Sequence, residues 1–393
     1  MILDGLPLEL MREVLLDLPT VDIIQTVKCT RQLYHFAKAD KALSRRLQSR
    51  VLNVHLGLGD YDLCPECEKL ELPLLLKVDL RRTNVTRGNN SKFNFWFEGG
   101  CECDDLDDSI LEIEHGLLDQ PSLLYESHLL RGFEDGTNFV IKNGSLDEAI
   151  VNCGKLFNIL MKFCVVRKFQ LDLDGNDYQL WDKMNAFFNA NPPNLRIQPL
   201  VFINPETNLD SFLTSSIFQS GIAKIMALGG DDFFSTLEDP YHEVLRRTPS
   251  VFFFDMQLPY TYEDLFGFFK DTKKLSFRSG TRITDREICQ LVQHFYEVKQ
   301  DEERMFEIAI GKSFLVKDFL TLIPEEAYRL RKKRSGIVGS KPETRTWAKM
   351  TDKFGGKWAL MDLRSHSNWA PYKNVLRICN MKNLTKNKPV GVL

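Results

Sequence analysis

Four cysteines come first among the residues whose types and spacing could do chemistry. Cys64-Pro-Glu-Cys67 is a C-x-x-C knuckle, and Cys101-Glu-Cys103 follows it further along the chain. Together they could supply four thiolates to a structural zinc, the ligand set that suits that ion. The second pair has a one-residue gap where zinc ribbons repeat the two-residue one, and it lies beside Asp104, Asp105, Asp107 and Asp108. The alternative is free thiols on neighbouring loops. A redox role for the C-x-x-C has no thioredoxin-like pattern around it.

Other catalytic patterns fail on inspection. Ile308-Ala-Ile-Gly-Lys-Ser313 ends an apolar run as a phosphate-binding loop does, but Phe306 stands where that loop needs its first glycine. His242-Glu243 is followed by Val, Leu and Arg, so the H-E-x-x-H zinc pattern is broken, and no G-x-S-x-G elbow is present. The seven histidines have no partner at fixed spacing. The expectation is a non-enzyme with no cofactor. Arg329-Leu-Arg-Lys-Lys-Arg334 reads either as a nuclear signal or phosphate-contacting patch, or as the solvated end of a helix that begins after Pro324-Glu-Glu.

The elements that organise the chain begin at its start. Leu6-Pro7 places a proline where a first helical turn tolerates it. Leu10, Val14 and Leu18, with Met11 and Leu15 beside them, give that helix one wide apolar face. Pro19 stops it, Thr20 is placed to cap a second helix over about Val21 to Lys28, and a third covers about Arg31 to Ala37. Three such helices are too few to bury a self-sufficient core, so part of their apolar surface is expected to meet another surface, either the rest of this chain or a partner.

Leu6-Pro7-x-Glu9, Val14-Leu15-x-x-Leu18, Asp22-Ile23 and Val27-x-Cys29-x-Arg31 resemble an F-box. This is the module by which substrate receptors dock on the Skp-type adaptor of cullin–RING ubiquitin ligases. The resemblance covers about residues 2 to 45 and implies that Leu6, Pro7, Glu9, Val14, Leu15, Leu18 and Ile23 face the adaptor. Gln32, Leu33 and Tyr34 stand where many F-boxes carry a tryptophan.

Composition is that of an ordinary globular chain: 393 residues, 43% hydrophobic, 27% charged, with 28 phenylalanines as core candidates and a net charge of −3. That charge gives no general attraction to nucleic acid or anionic lipid. The amphipathic, acidic start lacks the basic and unbroken apolar regions of a signal peptide, and no apolar run approaches a membrane span. The expected location is the cytoplasm or nucleus, with the cysteines reduced.

From about Asn138, apolar strands alternate with helical stretches. Strand centres at Leu171, Leu200, Ile225, Phe253, Leu275 and Ile308 recur at intervals that straddle the period of leucine-rich repeats, about 20 to 29 residues. The fold class expected is α/β: a three-helix F-box, then a degenerate leucine-rich-repeat-like solenoid and a C-terminal hairpin over Thr346 to Leu363. Phe268-Phe-Lys-Asp-Thr-Lys-Lys-Leu-Ser-Phe, Ile283-Thr-Asp-Arg-Glu-Ile288, Glu307-Ile-Ala-Ile310 and Gly355-Gly-Lys-Trp-Ala-Leu-Met361 resemble, over roughly residues 165 to 365, the F-box-associated domain of the large nematode F-box families. The expected domains are 1–48 (F-box), 49–137 (a connecting region with a hairpin and the cysteine pairs), 138–370 (the repeat-like domain) and 371–393 (a frayed tail). The resemblance implies a substrate-recognition subunit that holds the adaptor and, through it, a cullin at one end and a target protein at the other. The alternative is a nuclear or nucleic-acid-associated scaffold that uses the run 329–334.

Overall fold

The computed structural model describes residues 5–48, 50–58, 74–85, 88–99, 111–130, 138–173, 178–190, 198–203, 213–218, 221–228, 239–310, 315–334, 344–364 and 374–382. Cys64, Cys67, Cys101 and Cys103 lie outside these residues. The fold is mixed α/β and divides into two compact units, Met1–Val201 with Thr214–Ser220, and Phe202–Leu213 with Gly221–Leu393.

The first unit begins with helices α1 (Leu8–Asp17), α2 (Thr20–Val27), α3 (Arg31–Ala39) and α4 (Lys41–Gln48). Proline precedes each of the first two, at Pro7 and Pro19, where the extended backbone of an N-cap suits it. Thr20 does not cap α2 as expected but lies within its first turn, because Pro19 already occupies the N-cap and frees the Thr20 hydroxyl for a tertiary bond. Thr30 caps α3 by accepting from the Leu33 amide at 3.2 Å, and Asp40 caps α4 by accepting from the amides of Ala42 and Leu43.

Strand β1 (Arg50–Leu58) follows, then the expected hairpin of β2 (Leu74–Val85) and β3 (Gly88–Gly99), β4 (Leu111–Glu112), β5 (Asn138–Asn143), β6 (Val165–Leu173) and, where the sequence passes from one unit to the next, β7 (Leu200–Ile203). β1 lies parallel to both β3 and β6, while β2 is antiparallel to β3 and β5. The helix Leu146–Phe163 has the bounds the sequence predicts. Ser145 caps it, and Leu156, Phe157 and Leu160 of its inner face are buried. Gly154 is where the helix Tyr178–Ala190 crosses: a Cβ there would stand 2.1 Å from the Phe187 ring.

The second unit holds β8 (Lys224–Leu228), β9 (Ser250–Gln257), β10 (Lys274–Gly280) and β11 (Met305–Ile310), parallel and in chain order. Ile225, Phe253, Leu275 and Ile308 therefore sit on successive strands, as their spacing predicts. The sheet continues from β11 through four antiparallel strands, β15 (Asn374–Asn380), β14 (Lys357–Arg364), β13 (Thr344–Thr351) and β12 (Tyr328–Arg334).

Two sequence readings are corrected here. The basic run is strand β12 and not a helix end, because after one short turn at Glu325–Ala327 the chain joins the sheet at an edge, where charged side chains are tolerated. Asn374–Asn380 is not frayed: it pairs on both sides, with β11 and β14, and buries Val375, Leu376 and Ile378. The hairpin β13–β14 matches expectation. Asp352 organises its turn, accepting from the amides of Phe354 and Gly356 and from the Trp358 indole, while Gly355 takes φ +82°.

Helices cover one face of this sheet. On that face Phe253, Tyr260, Phe269 and Phe277 interlock with ring centroids 4.9 to 6.1 Å apart, and Phe295 lies edge-on to both Phe306 and Trp358. Capping boxes start the two short connections that carry these rings, Thr261 with Asp264 and Thr284 with Glu287.

Candidate functional site

The N-terminal helices close a core of their own. Met11, Leu15, Ile23, Val27, Leu33, Ala37 and Leu43 are buried together, with Leu6 and Leu18 packed on them. Leu15 and Ile23, which the resemblance assigned to the adaptor, are thus turned inward at zero exposure. Pro7, Glu9 and Val14 are on the surface. The apolar face of α1 is wide enough to be shared: Met11 and Leu15 take the inner half, and Leu8, Leu10 and Val14 stay 56%, 48% and 42% exposed. Leu10 and Val14 are one turn apart and form a stripe, with Pro7 at its entry.

This stripe is held in place by a buried arginine. Arg46 of α4 is 3% exposed, and among the described residues no carboxylate lies at hydrogen-bond distance from it. It donates instead to the carbonyls of Leu16, Leu18 and Lys162, with its guanidinium 4.8 Å from the centroid of Phe163. Thr20 donates to the Phe163 carbonyl at 2.8 Å. Lys162 and Phe163 end the helix Leu146–Phe163, so their carbonyls lack intrahelical donors and carry the negative end of its dipole. Burial pushes the Arg46 guanidinium below its ordinary value, opposed by Tyr125, Cys164 and Asp17. An arginine stays protonated regardless. Lys162 also reaches Asp17 at 3.0 Å, and Arg12 pairs with Asp40 at 2.7 Å, which ties α1 to the α3–α4 corner.

The sequence reading passed over Leu10, Thr20 and Arg46 as site residues. A signal for Arg46 was present: it sits at i+3 from Leu43 and next to Leu47, on the apolar side of α4, where a charge needs a special partner.

The second unit holds a cluster that no motif announces. Glu307 of β11 is buried, and its carboxylate accepts from Ser276 at 2.8 Å, Arg278 at 2.9 Å and Arg377 at 2.6 Å. Burial pushes its carboxyl up, but the charges of Arg278 and Arg377 and the hydrogen bonds outweigh that, and it lies below the usual glutamate value. A carboxylate fixed between two cations is spent as a base. The thiols are equally quiet: burial raises Cys153 and Cys164 to about 12 and Cys379 to about 11. Among the described residues no group of three or more His, Cys, Asp or Glu could hold a metal ion, and no helix is long and apolar enough to cross a membrane. The basic run presents Arg329 and Arg331 to solvent, with Arg331 5.7 Å from the Trp347 centroid.

No protein-family model, no curated protein and no solved structure matches this chain.

Proposed function

We propose that this protein is a substrate-recognition subunit of a Skp–cullin–F-box type ubiquitin ligase. In this reading the outer face of α1 docks the Skp-type adaptor, and the C-terminal repeat-like domain holds a target protein in the cytoplasm or nucleus. The observation that carries it is the exposed Pro7, Leu10 and Val14 stripe on helices whose own core is complete, since apolar residues presented together on a rigid element favour a protein partner. The chain contributes no chemistry of its own. It raises the effective concentration of the target's lysines near the conjugating enzyme.

The test is binding of the purified full-length chain to a Skp-type adaptor by calorimetry. Leu10→Asp with Val14→Asp should weaken that binding by at least about tenfold while circular dichroism stays unchanged, as expected for charges placed in an apolar interface. Wild-type protein with no affinity for the adaptor, or a variant that binds as well, overturns the reading. The alternative, a nucleic-acid-associated scaffold, draws on the exposed Arg329 and Arg331 of β12. It predicts association that falls steeply with salt, whereas the apolar stripe predicts salt-tolerant binding.

A further inference from the structure

The sheet of the second unit has two unlike faces. Toward the helices, Val251, Phe253, Leu275, Phe277, Phe306 and Ile308 are buried. On the opposite face Phe252, Phe254 and Arg278 of the same strands are half-exposed, while Ser276, Met305 and Glu307 between them are buried. Strand register sets one row straight across that face. Phe252 lies beside Ser276, Ser276 beside Glu307, Glu307 beside Arg377, Arg377 beside Met361, Met361 beside Trp347, and Trp347 beside Arg331.

The charge in this row is one-sided. Its single carboxylate, Glu307, is 1% exposed and already bonded to two guanidiniums, while Arg278 and Arg377 keep 36% and 23% of their side chains exposed and Arg331 is on the surface. These cations are also fixed in position. Arg278 lies 5.2 Å from the Phe254 centroid and Arg331 5.7 Å from that of Trp347, and Glu307 holds the Nε of both Arg278 and Arg377. Between them the floor is apolar, with Met305, Ala359 and Cys379 packed under Met361 and Trp347. A cation held in place before binding loses less entropy when an anion arrives.

The geometry points to this face as the docking site for an extended segment of another protein whose sheet-facing side chains, every second residue, run acidic, apolar, acidic. Strands about 4.8 Å apart put Arg331 and Arg377 some 14 Å from each other, a distance an extended peptide covers in about four residues. Acidic side chains at positions i and i+4 meet the arginines, and an apolar one at i+2, on the same side of the segment, meets Met361 and Trp347. A polynucleotide fits less well, because base stacking needs open ring faces and those of Phe254 and Trp347 each carry a guanidinium. The chain's own last residues, 383–393, carry Lys386 and Lys388 and no acid, so they are the wrong sign for this surface. The inference extends the substrate-receptor reading by giving the target surface its chemistry, and it is tested without the adaptor so that the two can fail separately.

The experiment measures fluorescence anisotropy of the full-length chain with a labelled ten-residue peptide that repeats Glu-Ser-Leu-Ser, so that glutamate and leucine share one side, its lysine–leucine counterpart with lysine in place of glutamate, and a ten-nucleotide mixed-sequence single strand. The acidic peptide should bind, and the lysine–leucine peptide should not. Arg331→Glu combined with Met361→Ala should weaken the acidic peptide by about tenfold or more at an unchanged melting temperature. A second variant, Arg329→Glu with Arg331→Glu, touches only the exposed edge of β12 and should weaken it in the same direction even if the first variant unfolds. Absence of binding, binding that neither variant alters, or an oligonucleotide that binds as tightly as the acidic peptide overturns the proposal.

Discussion

Arg46 in the first unit and Glu307 in the second are buried charges held in opposite ways. Arg46, in the first, is surrounded by backbone carbonyls, whereas Glu307, in the second, is gripped by two arginines that still reach solvent. The difference teaches what each charge is for. Carbonyls at the end of a helix cannot turn away when their donor is lost, so Arg46 is a fastener between the N-terminal helices and the helix Leu146–Phe163. Arginines on an open sheet face can turn to water, so Glu307 chiefly sets where two cations point.

The comparison is broken or sharpened first by Arg46→Leu, which fills similar volume but strands the carbonyls of Leu16, Leu18 and Lys162. Unfolding in urea should show a loss of about 3 kcal/mol, from several buried acceptors left without donors. A loss below about 1 kcal/mol would mean that water replaces the guanidinium and that the fastening role is wrong.

Glu307→Gln should cost less, about 1 to 2 kcal/mol at pH 7, because its partners are partly solvated already. The pH dependence carries the sign. Glu307 is held below its ordinary value of 4.5 in the folded chain, so the unfolded state binds the proton more readily. Its stabilisation is complete above 4.5 and is lost as pH falls from there through the folded value. Urea midpoints of wild type and variant should therefore converge on acidification, and a gap that stays constant down to pH 3 would contradict the clamp.

The smallest effect on stability belongs to Leu10→Ser with Val14→Ser on the outer stripe of α1. A change within about 0.5 kcal/mol is expected at exposed positions, against the 2 to 5 kcal/mol typical of truncating a buried leucine such as Leu15. Thermal denaturation of the double serine variant beside Leu15→Ala checks it. Equal losses would show that the stripe is core.

The sequence made the regular elements legible where apolar periodicity was strong: Ile225, Phe253, Leu275 and Ile308 fall on the strands Lys224–Leu228, Ser250–Gln257, Lys274–Gly280 and Met305–Ile310, where their spacing puts them. It misplaced elements whose pairing comes from far along the chain. Tyr328–Arg334 is mostly cationic and forms a strand only because β13 pairs with it, and Asn374–Asn380 gains its partners from β11 and β14. In the candidate site, periodicity marked α1 as apolar but could not divide its face. Leu10 and Met11 are adjacent in sequence and only 100° apart around the helix, and tertiary packing alone turned Met11 inward. Glu307 and its arginines lie on three strands, so no local pattern could join them.

Strand β12 has a consequence for the protein in concentrated solution. Among the described residues it pairs only with β13, so its other side offers backbone groups to any passing strand. Two copies meeting along that edge would bring the exposed Arg329 and Arg331 of one toward those of the other, and like charges there oppose the contact. Added salt screens that repulsion, with a Debye length of about 3 Å at 1 M. The cationic edge thus acts as a guard against self-association, effective in dilute buffer and weakened in brine.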